Sequence, residues 1–176
     1  VTFGSTSRDL QRLPHGARFR LALEELGPTF IKLGQLLSTR PDLIPEDIIN
    51  ELKKLQDHLH AVPLDEVQAQ IHSELGYPVE ELFALFEVIP LATASMAQVH
   101  RATLKDGTEV VCKVRRPGVE ALIMTDLDIM MGLAYLANKH LPGADMYDPV
   151  GIVKEFRRSI QRELDFSREG RTIDRF

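Results

Sequence analysis

Very little in this chain could cross-link it, carry it through a bilayer or draw it onto nucleic acid. Cys112 is the only cysteine among 176 residues. That excludes an internal disulfide and a thiolate-rich metal centre, and it fits a reducing compartment, with cytosol the default. The longest uninterrupted apolar stretch, residues 129–137, is interrupted in character by Gly132 and falls well short of the ~18 residues that signal a membrane span. Basic residues number 21 against 26 acidic ones, for a formal net charge of -5. No global positive field exists, so nucleic acid is not an expected partner. The opening Val1-Thr2-Phe3-Gly4 has neither an initiating Met nor a signal-peptide pattern, which predicts that the chain starts inside a longer gene product, and residues 171–176 predict a cut end.

What is present suffices for a core. Hydrophobic residues make up 44% of the chain, and its length fits one domain, or one lobe with an appendage. Phe19, Leu21, Leu23 and Leu26 predict a helix over His15–Leu26, ended by Gly27-Pro28, a terminator followed by a starter. Phe30, Leu33 and Leu37 carry a second helix through Thr39, closed by Pro41. Pro45-Glu46-Asp47 opens a third with acids in its first turn and Ile48, Ile49, Leu52 and Leu55 as its buried stripe. Leu64-Asp65-Glu66 opens a fourth, with Val67, Ile71 and Leu75 spaced by four and Gly76 as its C-terminal cap.

The period then changes. Residues 86–89, 98–104 and 109–114 are short β-branched segments, predicted as three antiparallel strands. Residues 90–97 join the first two, and Lys105-Asp106-Gly107-Thr108 supplies an Asp-Gly hairpin turn between the others. After Arg115-Arg116-Pro117-Gly118 the helical period returns over Val119–His140, with Leu122, Asp126, Ile129, Leu133 and Leu136 along one side, until Leu141-Pro142-Gly143 ends it. A last helix starts at Pro149, with Val153, Phe156, Ile160 and Leu164 repeating every three or four residues.

The sharpest chemical signal is an ordered pair: the small-residue run Ala92-Thr93-Ala94-Ser95-Met96-Ala97, then Lys113 within the following strand. Small side chains let backbone N–H groups approach phosphate oxygens, and the period of two puts Val111 on the strand face of Lys113. Val111 would touch a base while Lys113 reaches the phosphates. The same residues also fit an ordinary β-hairpin with an exposed lysine. Other features carry less. His58 and His60 are two apart, unsuited to chelation from one helix face, and are read as surface or loop residues. Met130 and Met131 are read as packing residues, Cys112 as a small buried hydrophobe, and Arg115 and Arg116 as a solvated strand end rather than a phosphate or headgroup clamp.

At this point a resemblance becomes specific. The stretch Leu91, Ala92, Thr93, Ala94, Ser95, Met96, Ala97, Gln98, Val99, His100 resembles the alanine-rich loop that replaces the glycine-rich loop in UbiB-type atypical kinases. Val111-Cys112-Lys113-Val114 resembles the kinase strand with the ATP lysine. Upstream, Lys32-Leu33-Gly34-Gln35 is similar to the family's KxGQ motif; downstream, Glu163-Leu164-Asp165 is similar to its ExD motif. Four motifs stand in order between residues 26 and 170. The resemblance implies an α+β fold: a protein-kinase-like N-lobe over residues 81–176 with a small antiparallel sheet, an inserted helix and a C-type helix over 149–170, a helical KxGQ extension over 1–80, and no C-lobe.

It also implies site roles. Residues 91–99, Val111 and Lys113 would bind ATP, while Lys32 and Gln35 would project into the nucleotide pocket and meet the ExD carboxylates. Lys32 and Gln35, three apart, share a helix face, and Gly34 permits close approach by another element. Glu163 is a candidate partner for Lys113 and Glu155 competes with it. Glu163 and Asp165, two apart, would point roughly 200 degrees apart on a straight helix, so one looks elsewhere or the helix ends there. The bland alternative is an acidic helix side balanced by Arg157, Arg158, Arg162 and Arg168.

Neither an H-x-D loop nor a D-F-G sequence occurs in the chain, so the chain alone is expected to turn nothing over, with the Mg2+ ligands elsewhere. For the complete protein the resemblance implies an atypical kinase or ATPase supporting coenzyme Q (ubiquinone) biosynthesis. It would use ATP and Mg2+, lie peripheral to a membrane, and have membrane lipid, a quinone precursor or coenzyme Q biosynthesis enzymes as partners. A non-catalytic scaffold binding partner enzymes or lipid is the rival reading.

Overall fold

The computed structural model describes residues 13–55 and 60–166. The chain divides into two compact units, one of residues 1–56 with 123–176 and one of residues 57–122. His58 and the last residues of the expected C-type helix, Arg168 included, lie outside the described residues, as do both chain ends.

The first unit is helical. Its helices are α1 (His15–Leu26), α2 (Pro28–Leu37) and α3 (Glu46–Leu52), followed later in the chain by most of α6 (Val119–His140) and by α7 (Pro149–Leu164). Gly27 has φ +101, a conformation that side-chain-bearing residues rarely adopt; it breaks the chain direction so that Pro28 can start α2 at once. Leu23, Ile31, Leu37, Leu52 and Leu55 form a buried cluster against which Phe30, Leu33, Ile44 and Ile48 pack. Thr29 is fully buried and its hydroxyl donates to Asp126 Oδ2, linking α2 to α6 at 2.5 Å. Asp148, at φ 42, caps α7 by accepting from the Gly151 amide at 2.9 Å.

The expected apolar side of α6 is on it, but facing outward. Leu122, Ile129, Leu133 and Leu136 are exposed, while Val119, Ile123, Leu127, Met130 and Ala134 are buried. A helix apolar on both sides offers two stripes of similar spacing, so periodicity does not choose between them.

The second unit holds α4 (Leu64–Leu75), the single turn α5 (Val79–Leu82) and a four-stranded antiparallel sheet. Its strands are β1 (Phe83–Phe86), β2 (Ala92–Thr93), β3 (Ala97–Leu104) and β4 (Glu109–Arg115). β4 lies along β3 from Ala97↔Arg115 to Thr103↔Glu109. β1 and β2 share the other edge of β3, β1 against its residues 102–104 and β2 against Val99 and Gln98. The strand expected at residues 86–89 therefore sits three residues earlier. Val88 and Ile89 are exposed, and Pro90 has no N–H for the ladder. The ladder resumes at Leu91, whose amide donates to Val99 O at 2.7 Å. The connection expected over residues 90–97 shrinks to a turn at residues 94–96.

The sheet has one packed face. Val114 joins Val67, Ile71 and Val79 in a buried cluster, with Val62, Leu82, Phe83, Phe86 and Cys112 against it. Gly107, at φ +89, makes the expected Asp-Gly turn, in which Asp106 accepts from the Thr108 amide at 2.9 Å.

Candidate nucleotide site

The sheet register places the two halves of the strongest sequence signal in one row. Val99 is opposite Ala92 on one side and opposite Lys113 on the other. Residues directly opposite in an antiparallel ladder project to the same face. Ala92, Val99 and Lys113 thus share a face, two strand spacings or roughly 10 Å across. Val111 and Lys113 are both exposed on that face, whereas Val110, Cys112 and Val114 alternate toward the packed side. Burial raises the pKa of the Cys112 thiol.

The turn itself is tightly held. Ala94 N donates to Ala97 O at 2.8 Å, and Ser95, Met96, Ala97 and Gln98 are buried. Their side chains are therefore not ligand contacts in this conformation; what the turn can offer a ligand is backbone. Ser95 Oγ, fully buried, has no hydrogen-bond partner among the described residues.

Two residues set this turn against its surroundings. Gln98 accepts from the Val62 amide at 2.8 Å and donates to the Val62 carbonyl at 3.3 Å. Its Nε2 also lies 2.9 Å from His100 Nε2, and His100 Nδ1 lies 2.8 Å from the Glu87 carbonyl. An amide nitrogen only donates and a carbonyl only accepts, so the network assigns the imidazole proton to Nδ1. Phe86 stacks on the ring with centroids 4.8 Å apart. Arg116, expected at a solvated strand end, is half-buried instead: Nε donates to Ala94 O and NH2 to His60 O, each at 2.8 Å. Burial lowers the pKa of this guanidinium from its ordinary value.

In the helical unit, Lys32 and Gln35 of α2 and Ser159 and Glu163 of α7 line one small cleft of about 150 Å³. Lys32 Nζ is 2.7 Å from Glu163 Oε1. Gln35 reaches Leu55 O only at 3.5 Å, the outer limit of a hydrogen bond. The geometric difficulty over Glu163 and Asp165 resolves at the helix end: α7 stops at Leu164, and Asp165 is its C-cap, at φ -85 and ψ 80. Glu155, the other candidate for Lys113, lies 3.0 Å from Arg40 NH1. Asp42 first, and Glu155 after it, raise the pKa of that arginine.

The chain matches a family. Residues 54–176 correspond to the ABC1 atypical kinase-like domain. The chain belongs to the ABC1 atypical kinase-like family. Its ABC1 relatives include the probable protein kinase UbiB of Marinobacter nauticus, 48% identical over 158 residues, covering 90% of this chain and 29% of that protein. Those of Cellvibrio japonicus and Xylella fastidiosa are 50% and 46% identical, covering 90% and 93% of this chain and 29% and 30% of those proteins. The chain thus spans under a third of the length of the relatives it matches. Among solved structures, the Rv3197–erythromycin complex from Mycobacterium tuberculosis matches with a TM-score of 0.54 and 30% identity, over 76% of this chain and 34% of that one. Within this ABC1 chain, Arg116 and the Gln98–His100 pair were not anticipated as turn-holding residues. The one sequence signal was two polar residues at period two in a strand otherwise read as apolar.

Proposed function

We propose that this chain is the ATP-binding part of a UbiB-like atypical kinase or ATPase that supports ubiquinone biosynthesis. The reading rests on one observation: the row Ala92, Val99, Lys113 across the sheet, in which the first residue of the small-residue run and the lysine share one face. In this role residues 91–99 and Val111 form the nucleotide cradle and Lys113 meets the phosphates. Lys32, Gln35, Glu163 and Asp165 position the site, and no residue of the chain is assigned a bond-making step. In this reading the Mg2+ that accompanies ATP is held mostly by ligands elsewhere in the full-length protein. Residues 1–80 act in this reading as the helical extension and residues 81–176 as the kinase-like lobe.

A second reading has its own observation. In the helical unit Phe19, Leu26, Phe30, Leu33, Met130 and Leu133 line part of an open apolar groove of about 470 Å³. That surface favours a scaffold docking partner enzymes or lipid at a membrane face; no described helix is long and apolar enough to cross a membrane.

One substitution separates the two. Lys113→Met in the full-length protein is expected to abolish the thermal shift induced by ATP and Mg2+, and to abolish ubiquinone synthesis in a strain lacking the wild-type gene. Retained ATP shift overturns the lysine assignment. Lost shift with full ubiquinone synthesis favours the scaffold.

A further inference from the structure

A second ion pair joins the two sides of the cleft that Lys32 and Glu163 close. Arg40 NH1 lies 3.0 Å from Glu155 Oε2, and Lys32 Nζ lies 2.7 Å from Glu163 Oε1. The steps from Lys32 to Arg40 and from Glu155 to Glu163 are equal, eight residues each, and the pairing order is reversed. α2 with its following turn therefore runs antiparallel to α7. The other residues lining the cleft all fall between the two pairs in sequence: Gln35 and Leu36 on one side, Phe156, Ser159 and Ile160 on the other. Eight residues of helix span about 12 Å, so the pairs are separate points of attachment.

Apolar packing alone leaves the position of α7 along α2 open. Its buried stripe Val153, Phe156, Ile160 and Leu164 repeats every three or four residues. Burial is non-directional, so a slip of one turn would put another apolar residue in each place. Packed helices do exchange arrangements by one-turn slips. The same slip would carry Glu155 and Glu163 about 5.4 Å from their partners and break both pairs. The charges choose the register that the stripe leaves open.

Arg40 is suited to this although it is partly exposed. An ordinary surface pair contributes little, because two long side chains must be ordered to make it. Here Nε and NH2 hold Asp42 at 3.0 and 2.8 Å, which sets the guanidinium in place with NH1 toward Glu155. The backbone is fixed as well: Arg40 O accepts from the amides of Leu43 and Ile44 at 3.1 and 3.3 Å.

We propose that Arg40, held by Asp42, is a positioning residue that sets the register of α7 along α2 and thereby brings Glu163 to Lys32. The inference rests on the reading above, in which Lys32 and Glu163 position the ATP site, and adds to it the residue that aligns them from a second point of attachment.

The experiment follows backbone amide exchange of residues 160–164, and affinity for ATP with Mg2+, in the full-length protein. Wild type is compared with Arg40→Met, Arg40→Lys, Lys32→Met, and Arg40→Met combined with Lys32→Met. Arg40→Lys keeps the charge without the fork that serves Asp42 and Glu155 together. Arg40→Met is expected to raise exchange at residues 160–164, about 12 Å from the lost contact, roughly two- to fivefold. Arg40→Lys should raise it less, and ATP affinity should shift in the same direction as in Lys32→Met. The combined variant should exceed the larger single change in neither quantity, because both substitutions break one arrangement. Exchange raised only near residues 149–156, or effects that add in the combined variant, overturns the positioning role. If Arg40→Met fails to fold, Glu155→Gln, which removes the same contact from the other side, decides. ATP affinity unmoved in every variant, or a wild type that binds no ATP, overturns the ATP reading, and the exchange result then decides the register role by itself.

Discussion

Lys32 Nζ stands 2.7 Å from Glu163 Oε1, so the lysine of one helix and the final-turn glutamate of another close a single cleft. The lysine side chain is 15% exposed and the glutamate 45%. A pair this close to solvent is worth little in absolute terms, about 0.2–1 kcal/mol by the usual range for exposed pairs. A double-mutant cycle with Lys32→Ala and Glu163→Ala, read by urea unfolding, is expected to give a coupling energy of that size at low salt and less at 1 M salt. A coupling indistinguishable from zero at low salt would show that the contact orients the two helices without stabilising them.

Between the lysine and Gln35 sits Gly34, and its reason is steric. A Cβ there would lie 2.3 Å from Leu55 Cδ1 and 2.7 Å from Leu23 Cδ1. Both leucines are buried in the same cluster, so their methyl groups have no solvent to swing into. Alanine in place of glycine gains about 1 kcal/mol in an ordinary helix, but overpacking a core costs about 1–3 kcal/mol. Gly34→Ala is expected to destabilise by about 1 kcal/mol or more. Unchanged or raised stability in denaturant titration would mean that α2 shifts freely against α3.

The sequence was most legible where structure is local. His15–Leu26, Leu64–Leu75 and Val119–His140 end where their Gly and Pro signals place them, because a helix is decided by neighbours within a turn or two. The change of period was read at Phe86, three residues late, and the α+β class came with the resemblance. Legibility failed where the partner is distant in sequence. β1 is placed by its pairing with residues 102–104, which its own composition does not encode, and a two-residue strand such as β2 has no period to read. The buried stripe of α6 depends on what packs there. Arg116 reads as a charge after a strand, and only the approach of Ala94 and His60 makes it a brace. In the cleft Lys32 pairs with Glu163, and the end of α7 at Leu164 removes the conflict between Glu163 and Asp165.

Cys112 offers a probe of the sheet's packed face. It lies one residue before Lys113 but points the other way, half-buried beside the Val67, Ile71, Val79 and Val114 cluster. Burial disfavours the thiolate and raises the pKa, and only the thiolate reacts with a disulfide reagent. Labelling of the native protein is therefore expected to be slow at pH 8, to accelerate as pH rises through the elevated pKa, and to become fast in denaturant. Nucleotide bound on the opposite face should leave the thiol uncovered directly and slow labelling only by suppressing opening of the sheet. That slowing should vanish with Lys113→Met. Fast labelling of the native chain at pH 8, equal to the rate in denaturant, would mean that the side chain faces solvent, and the alternation that puts Lys113 on the opposite face would fall with it.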